Sequence, residues 1–266
     1  MWWLALQACL AQDAPPPSGL ASAPPALAEV ADNSTVGTAF PPPSGARRIP
    51  GDAFGSSLRS LRLEPVGTPV LTYDGRVVRR DARVIALPLA EGDLQQCADS
   101  VIRVRAEWQR EQGLPVSFHA TSGDPLPWAR WQAGERPREV SGRLQWSGGQ
   151  GPGTWEGYLR AVFMWSGSWS LQRFDSVPAA DPVPGDVLVS GGFPGHAVLI
   201  LDVAEREGER WVLIGQGFMP AQSFYVDPGP VGGWWPWVDP LALSVWTFST
   251  SELRRWPSDA APPAAL

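Results

Sequence analysis

Three polar residues, spaced along the chain in the order cysteine, histidine, glutamine, could together form a thiol site. Cys97 lies in DLQQCADSVIRVRAEW, His196 opens the apolar run HAVLILDV, and Gln216 ends a later apolar run. A thiol at a helix N-terminus can become a thiolate, an imidazole can take its proton, and an amide can orient the imidazole. The pattern predicts a cysteine hydrolase in which Cys97 attacks, His196 is the general base and Gln216 orients the ring.

Other side chains near these positions have candidate supporting roles. The backbone N–H of the cysteine and a side chain such as Gln95 or Gln96 could hold an oxyanion. Gln222 is an alternative to Gln216 as the orienting residue. Asp202 is excluded, because it lies six residues along the strand from the histidine, roughly 20 Å away by strand rise.

The pairing register of the strands that carry His196 and Gln216 decides whether the two side chains can meet. A five-residue loop over 205–209 makes Gln216 a diagonal neighbour of His196 on one face. A two-residue turn at Glu207-Gly208 shifts the register and points Gln216 away. The sequence leaves both registers open.

A non-catalytic interpretation stands beside the hydrolase. Free cysteine is among the most buried residue types, so Cys97 could be inert core. Apart from Cys9 near the N-terminus, the chain has one cysteine and two scattered histidines. These are too few for a zinc site, so neither a metal nor another cofactor is expected. His119, in an irregular region, is predicted to be structural or exposed.

The alternative function is an envelope protein that binds glycan, lipid or a protein partner without chemistry. The segment GGWWPWVDP carries Trp234, Trp235 and Trp237, which could stack on a sugar or a substrate. Tryptophan clusters also pack cores and lids, so both interpretations of the segment remain.

The elements that must position these residues indicate an α+β fold. Asp93 and Gln96 form a D-x-x-Q capping box before an apolar helical stripe that includes Val101 and Val104. Thr154 can cap a second helix. From Val183 onward the pattern changes to strands separated by turn signals, which predicts an antiparallel meander.

The N-terminal region predicts export. Residues 1–11 read as a signal peptide or lipoprotein signal, in which Leu6-Gln7-Ala8-Cys9 is similar to a lipobox and Cys9 would be lipidated. A plain signal peptide cut near Ala11, or a different start codon, would explain the same letters. Pro, Ala and Ser dominate 12–50, which predicts a disordered tether. A single domain then spans 51–256, followed by a loose tail over 257–266.

Composition and charge limit the classes of binding partner that are expected. The formal net charge is −6 and the pI is about 5.0, so nucleic acid is not an expected partner. No later stretch reaches 18 apolar residues, so membrane association is expected only through the N-terminal lipid. For an exported hydrolase, peptidoglycan or another component of the bacterial envelope is the expected partner, in the periplasm or at an anchoring membrane.

Four segments carry a family resemblance: DLQQCADSVIRVRAEW, PGDVLVSGGFPGHAVLILDVAE, GQGFMPAQSFYV and WTFSTSELRRW. Together they resemble an uncharacterised bacterial domain-of-unknown-function family, number 4846, over about Phe54 to Trp256. That resemblance implies a secreted protein or a lipoprotein, but it does not indicate which reaction, if any, the protein catalyses. Relatives usually have Ser and Tyr where this chain has Gly217 and Phe218.

A more remote resemblance lies in PGDVLVSGG and GHAVLIL, which are similar to a stretch of NlpC-type and CHAP-type cell-wall peptidases. It implies a papain-like fold, in which the helix bearing the cysteine packs on an antiparallel sheet carrying the histidine.

Overall fold

The computed structural model of the chain describes residues 33–149 and 151–258. These residues contain six α-helices and two short 3-10 helices, Leu58–Ser60 and Thr250–Glu252. The α-helices are α1 Val36–Ala39, α2 Ala53–Ser57, α3 Cys97–Glu111, α4 Trp128–Gln132, α5 Trp155–Trp165 and α6 Ser168–Arg173. None of the helices in the described ranges is long and apolar enough to cross a bilayer.

Seventeen strands lie in the described ranges. They are β1 Arg47–Arg48, β2 Val70–Leu71, β3 Val77–Arg79, β4 Arg83–Val84, β5 Ser117–His119, β6 Pro125–Pro127, β7 Arg136–Val140, β8 Arg143–Ser147, β9 Val177–Pro178, β10 Val187–Ser190, β11 His196–Arg206, β12 Glu209–Gln216, β13 Tyr225–Val226, β14 Trp234–Pro236, β15 Leu241–Ala242, β16 Thr247–Phe248 and β17 Leu253–Arg255.

Nine of the strands form one antiparallel sheet. Its order is β4-β13-β12-β11-β10-β17-β9, with β1 added to β11 and β14 added to β12. The remaining strands form four two-stranded ribbons, β2-β3, β5-β6, β7-β8 and β15-β16. The combination of helices with an antiparallel sheet confirms the predicted α+β class.

Helix α3 is buried on two sides. Val101 and Val104 pack with Leu199 against one face of the sheet, while Ile102 and Ala106 pack with α5. A helix apolar on both sides is stable only between two layers, and each fully buried valine contributes about 1.5–3 kcal/mol relative to exposure. This packing fixes where the first turn of α3 lies against the sheet.

The opposite face of the sheet carries a separate apolar cluster. Val198 and Ile200 of β11 pack there with Phe248 of the β15-β16 ribbon. Side chains alternate across a strand, so Ala197 and Leu199 face α3 while His196 and Val198 face the ribbon.

Helix α3 begins later than the sequence predicts. Its first residue is Cys97 and its N-cap is Gln96, not Asp93. The side chain of Asp99, the third residue of the helix, accepts the backbone N–H of Gln96 at 3.0 Å, as in a capping box. Asp93 Oδ1 instead accepts the backbone N–H of Ala221 at 2.6 Å, so its side chain holds the loop after β12.

The predicted cap of the second helix is confirmed. The side chain of Thr154 caps α5 by accepting the backbone N–H of Gly157 at 3.1 Å. Asp74-Gly75 lies in the turn between β2 and β3, where Gly75 adopts φ 83°, a conformation that favours glycine.

Residues 33–50 lie in the fold, although the sequence predicts a tether over 12–50. β1 pairs with β11, and Val36 is fully buried. Arg48 Nε donates to Asp202 Oδ2 at 2.7 Å, and its Nη2 donates to the carbonyl of Phe40 at 2.8 Å. Composition missed this because few side chains anchor the segment. The signal at 1–11 with Cys9, the tether over 12–32 and the tail over 259–266 lie outside the described residues.

Candidate functional site

His196 is held at the start of β11 by a glycine-rich loop, 191–195. It pairs with Ser190, the last residue of β10. A Cβ on Gly195 would lie 2.3 Å from Ser168 Oγ and 2.6 Å from the carbonyl oxygen of Ser190. Only glycine allows this close approach of the loop to α6.

Gln216, the last residue of β12, lies beside His196. Gln216 Oε1 is 3.2 Å from His196 Nε2, and both side chains are fully buried. An amide oxygen at this position holds the ring in one orientation. The structure therefore brings together the predicted base and the predicted orienting residue.

The pairing of β11 with β12 has the two-residue turn of one predicted alternative and the His196–Gln216 proximity of the other. Arg206 pairs with Glu209, so the turn is the two-residue Glu207-Gly208 type. A β-bulge between Ile200 and Asp202 then shifts the register by one residue. That shift returns Gln216 to the face of His196, as bulges commonly re-aim side chains.

Three aromatic rings enclose the imidazole of His196. Phe218, Trp246 and Phe248 lie with ring centroids 5.2, 5.4 and 5.7 Å from it. Burial lowers the pKa of His196 to about 4, and the hydrogen bond with Gln216 opposes this in part. The imidazole is therefore neutral at neutral pH, and its Nδ1 has no hydrogen-bond partner among the described residues.

Cys97 opens α3 on the other side of β11. Its exposed fraction is 6%, and it packs with Ala197 and Leu199. Burial raises the pKa of the thiol and Asp99 adds to the rise, while backbone hydrogen bonds, led by that of Ala197, oppose it. The resting residue is a protonated thiol rather than the predicted thiolate.

Cys97 and His196 are thus separated by the backbone of β11. The thiol lies against Ala197, the residue next to His196, and no hydrogen bond joins the thiol to the imidazole in the described part of the chain. The segment after Gln216 connects the two sides. A Cβ on Gly217 would lie 2.8 Å from Ser100 Oγ in the first turn of α3, while Phe218 covers the imidazole.

The two residues predicted to hold an oxyanion differ in whether their side-chain NH2 group already has a hydrogen-bond partner. Gln96 Nε2 donates to Asp93 Oδ1 at 3.2 Å, so its amide is engaged. Gln95 is fully buried, and its Oε1 accepts from Arg103 at 2.6 Å and from the N–H of Ala90 at 3.1 Å. Gln95 Nε2 has no partner among the described residues, and neither has Ser100 Oγ in the first turn of α3, so both are side-chain donors left at this end of the helix.

The predicted binding residues make structural contacts. Trp234 is fully buried, and its Nε1 donates to the carbonyl of Pro41 at 2.9 Å, so it cannot stack on a ligand in this structure. Trp235 and Trp237 are half-buried against the cluster on the ribbon face of the sheet. Gln222 forms a β-bridge with Thr72.

His119 has a structural environment. Its Nδ1 lies 2.7 Å from Asp175 Oδ1, and its ring packs on Phe174. The hydrogen bond with Asp175 raises the pKa of His119. Within the described ranges, no cluster of three or more histidine, cysteine or acidic side chains could hold a metal ion.

Sequence reasoning missed a polar group behind Gln216. Its Nε2 donates to Asp227 Oδ1 at 2.6 Å, to the hydroxyl of Tyr225 at 3.1 Å and to Ser244 Oγ at 3.2 Å. Asp227 sits in Asp-Pro-Gly and reads as a turn residue in the sequence. Its full burial, which marks it as more than a turn residue, is visible only in the fold.

Comparison with known proteins identifies the chain at the level of a family. A search of the curated proteins found no match, and a search of the solved structures found none either. The family model described as Domain of unknown function (4846) matches residues 36–255. That range is most of the chain and contains Cys97, His196 and Gln216. The chain therefore belongs to the Domain of unknown function (4846) family.

Proposed function

We propose that the chain is a cysteine hydrolase that cleaves an amide bond, with Cys97 as nucleophile, His196 as base and Gln216 as the orienting residue. The observation that carries the proposal is the His196–Gln216 pair. One ring nitrogen is held by an amide oxygen, and the other is buried without a partner. A buried polar atom left unpaired costs about 1–3 kcal/mol, and such costs concentrate at functional sites.

The position of Cys97 supports the same proposal. The thiol begins a fifteen-residue helix and lies against the residue next to the base. The arrangement is similar to a papain-like site, with a cysteine on a helix packed against a sheet that carries the histidine and an amide. Because the thiol is protonated and the imidazole neutral, proton transfer accompanies attack rather than preceding it.

The reaction has two halves. In this structure the backbone of β11 separates the two side chains, so the reaction requires that movement of the Gly217-Phe218 segment bring them into one cleft. The Cys97 sulfur then attacks the amide carbonyl carbon, and its proton passes to His196 Nδ1. The C–N bond breaks, the proton passes to the leaving amine, and a thioester remains. Water, deprotonated by His196, hydrolyses the thioester to a carboxylic acid and restores the thiol. The N–H of Cys97 and Gln95 Nε2 are the donors for the oxyanion.

A substrate must reach Cys97 and His196, which are both buried in this structure. Phe218 is the half-buried ring over the imidazole and follows Gly217, which lies on the first turn of α3. Displacement of the Gly217-Phe218 segment would open both the thiol side and the imidazole side. We expect the substrate to enter there.

The substrate class follows from the expected location. An exported, tethered bacterial protein meets peptidoglycan, whose stem peptides are the abundant amides of the envelope. We therefore propose a stem peptide as substrate, in the periplasm or on an anchoring membrane.

Incubation with purified stem peptides, followed by mass spectrometry, tests this function. The wild-type chain should release paired amine and carboxylate products, and Cys97→Ala should release none. Val101→Ala, on the same buried helix stripe, is the matched control and should keep turnover while folded. Equal turnover by Cys97→Ala and wild type would refute the proposal.

A second candidate, a non-catalytic envelope binder, is favoured by one surface feature. Phe193, in the loop before His196, is 79% exposed and lies 6.4 Å from the exposed ring of Trp169. Exposed aromatic pairs often mark binding surfaces. If the chain only binds, Phe193→Ala with Trp169→Ala should abolish co-sedimentation with peptidoglycan, and wild type should show no turnover.

A further inference from the structure

The orientation of the Gln216 side chain decides which nitrogen of His196 carries the proton. A glutamine amide presents an oxygen on one side and two N–H donors on the other, and the surrounding groups select between the two orientations. If the oxygen faces His196, the imidazole must donate from Nε2. If the NH2 group faces it, Nε2 must accept and Nδ1 carries the proton.

Asp227 is the group that selects the orientation. It is fully buried, and each of its contacts comes from a donor. The backbone N–H and the hydroxyl of Ser244 donate to its two oxygens, and Gln216 Nε2 donates at 2.6 Å. Arg79 Nη1 lies 3.5 Å from Asp227 Oδ1. A carboxyl group among donors only is an acceptor, and it requires the NH2 side of Gln216.

Arg79 supplies the charge that keeps Asp227 an acceptor. Burial raises the pKa of Asp227, while its contacts with Ser244, Arg79 and Gln216 oppose the rise. Arg79 is itself fixed by two hydrogen bonds to Asp81, at 2.7 and 2.9 Å, and it donates to Ser244 Oγ at 2.8 Å. The cation therefore stays beside the carboxylate.

Tyr225 does not select the orientation. Its hydroxyl lies 3.1 Å from Gln216 Nε2, but a hydroxyl can donate or accept. It would satisfy either side of the amide, which makes Tyr225 a matched control for Asp227.

We propose that Asp227 is a positioning residue that, through Gln216, fixes His196 as the Nε2–H tautomer and leaves the Nδ1 lone pair as the base. The catalytic meaning of this inference rests on the proposed hydrolase. The assignment of the tautomer does not rest on the proposed hydrolase, because it concerns the protein without substrate.

The imidazole 15N spectrum of the full chain labelled at histidine measures the tautomer directly, since protonated and unprotonated ring nitrogens resonate far apart. Two histidines give two sets of signals, and His119→Gln assigns them. Wild type should show His196 as Nε2–H. Asp227→Asn should shift His196 toward the Nδ1–H form, because the new amide can donate and no longer requires the NH2 side of Gln216. Tyr225→Phe should leave the tautomer unchanged.

An Nδ1–H tautomer in wild type overturns the inference without any variant, so it remains testable even if Asp227→Asn does not fold. An unchanged tautomer in a folded Asp227→Asn overturns it too. Loss of turnover bears on the hydrolase alone, because the tautomer is read without substrate.

Discussion

Burial outweighs the helix N-terminus at Cys97. A charge near a helix end gains about 0.3–1 kcal/mol from the helix dipole, which is less than the 1.36 kcal/mol that moves a pKa by one. The thiol is almost fully buried, and its pKa is raised. In the proposed hydrolase its reactivity would therefore depend on a base that accepts its proton, which is the role that we propose for His196.

At the residue scale, the low pKa of His196 predicts an acid-sensitive fold. The folded pKa of about 4 lies below the ordinary 6.5, so the stabilising effect is present above about pH 6.5 and is lost as the pH falls toward 4. Protonation would cost the folded state up to about 3 kcal/mol. Urea unfolding across this range should show the loss in wild type and a flatter profile in His196→Gln.

His119 is the control with the opposite sign. Its pKa is raised by Asp175, so its stabilising effect is present at low pH and is lost as the pH rises through its folded pKa. His119→Gln should remove that decline and keep the acid loss that belongs to His196. An acid loss in His196→Gln as large as in wild type would contradict the assigned burial effect.

Residue types and order along the chain are enough to predict Cys97, His196 and Gln216 as candidates. The Asp227 contact could not be predicted, because Asp227, Ser244 and Arg79 come from three separate segments that only tertiary packing brings together. The closed state of the thiol could not be predicted either, since burial depends on the loop after Gln216.

At the element scale, the β11-β12 hairpin shows why strand register is hard to read from sequence. The turn residues Glu207-Gly208 indicate a two-residue hairpin, which the structure contains. The bulge between Ile200 and Asp202 lies in an apolar run with no glycine or proline to signal it. Without the bulge, Gln216 would point away from His196.

The turn of this hairpin offers a test of backbone strain. Glu207 adopts φ 55° and Gly208 φ 84°, as both central residues of a type I′ turn do, and Asn-Gly is the favoured pair there. Glu207→Asn should therefore raise the free energy of unfolding by about 0.5–1 kcal/mol, measured in urea. Glu209→Asn, in the adjacent strand, should give no gain. A loss of stability in Glu207→Asn would show that Glu207-Gly208 does not form a type I′ turn.

At the scale of the whole molecule, the fold extends toward the N-terminus beyond the predicted start at 51. Val36 and Phe40 pack into the cluster on the α3 face of the sheet, and Arg48 pairs with the buried Asp202. The predicted domain order, a helix followed by an antiparallel meander, agrees with the structure from α3 onward. The early segment could not be predicted because its anchors are few and distant in sequence.

Truncation tests the role of this segment. A chain that starts at Asn33 keeps the buried side chains, and a chain that starts at Gly51 loses them together with the Arg48 partner of Asp202. Burial of one valine or phenylalanine is worth about 1.5–3 kcal/mol, so the shorter chain should lose about 3 kcal/mol or more of unfolding free energy in urea. Equal stability of the two chains would show that residues 33–50 do not stabilise the fold, as expected of a tether.

Alkylation of Cys97 by iodoacetamide, followed as a function of pH in a Cys9→Ser background, tests the central claim most directly. If His196 takes the thiol proton as sulfur attacks, the rate in wild type should hold a plateau below the thiol pKa and fall only near pH 4, where His196 becomes protonated. In His196→Ala the plateau should disappear, and the rate should fall about tenfold per pH unit with the thiolate fraction. His119→Ala should keep the plateau. Superimposable profiles in wild type and a folded His196→Ala would contradict the Cys97–His196 site.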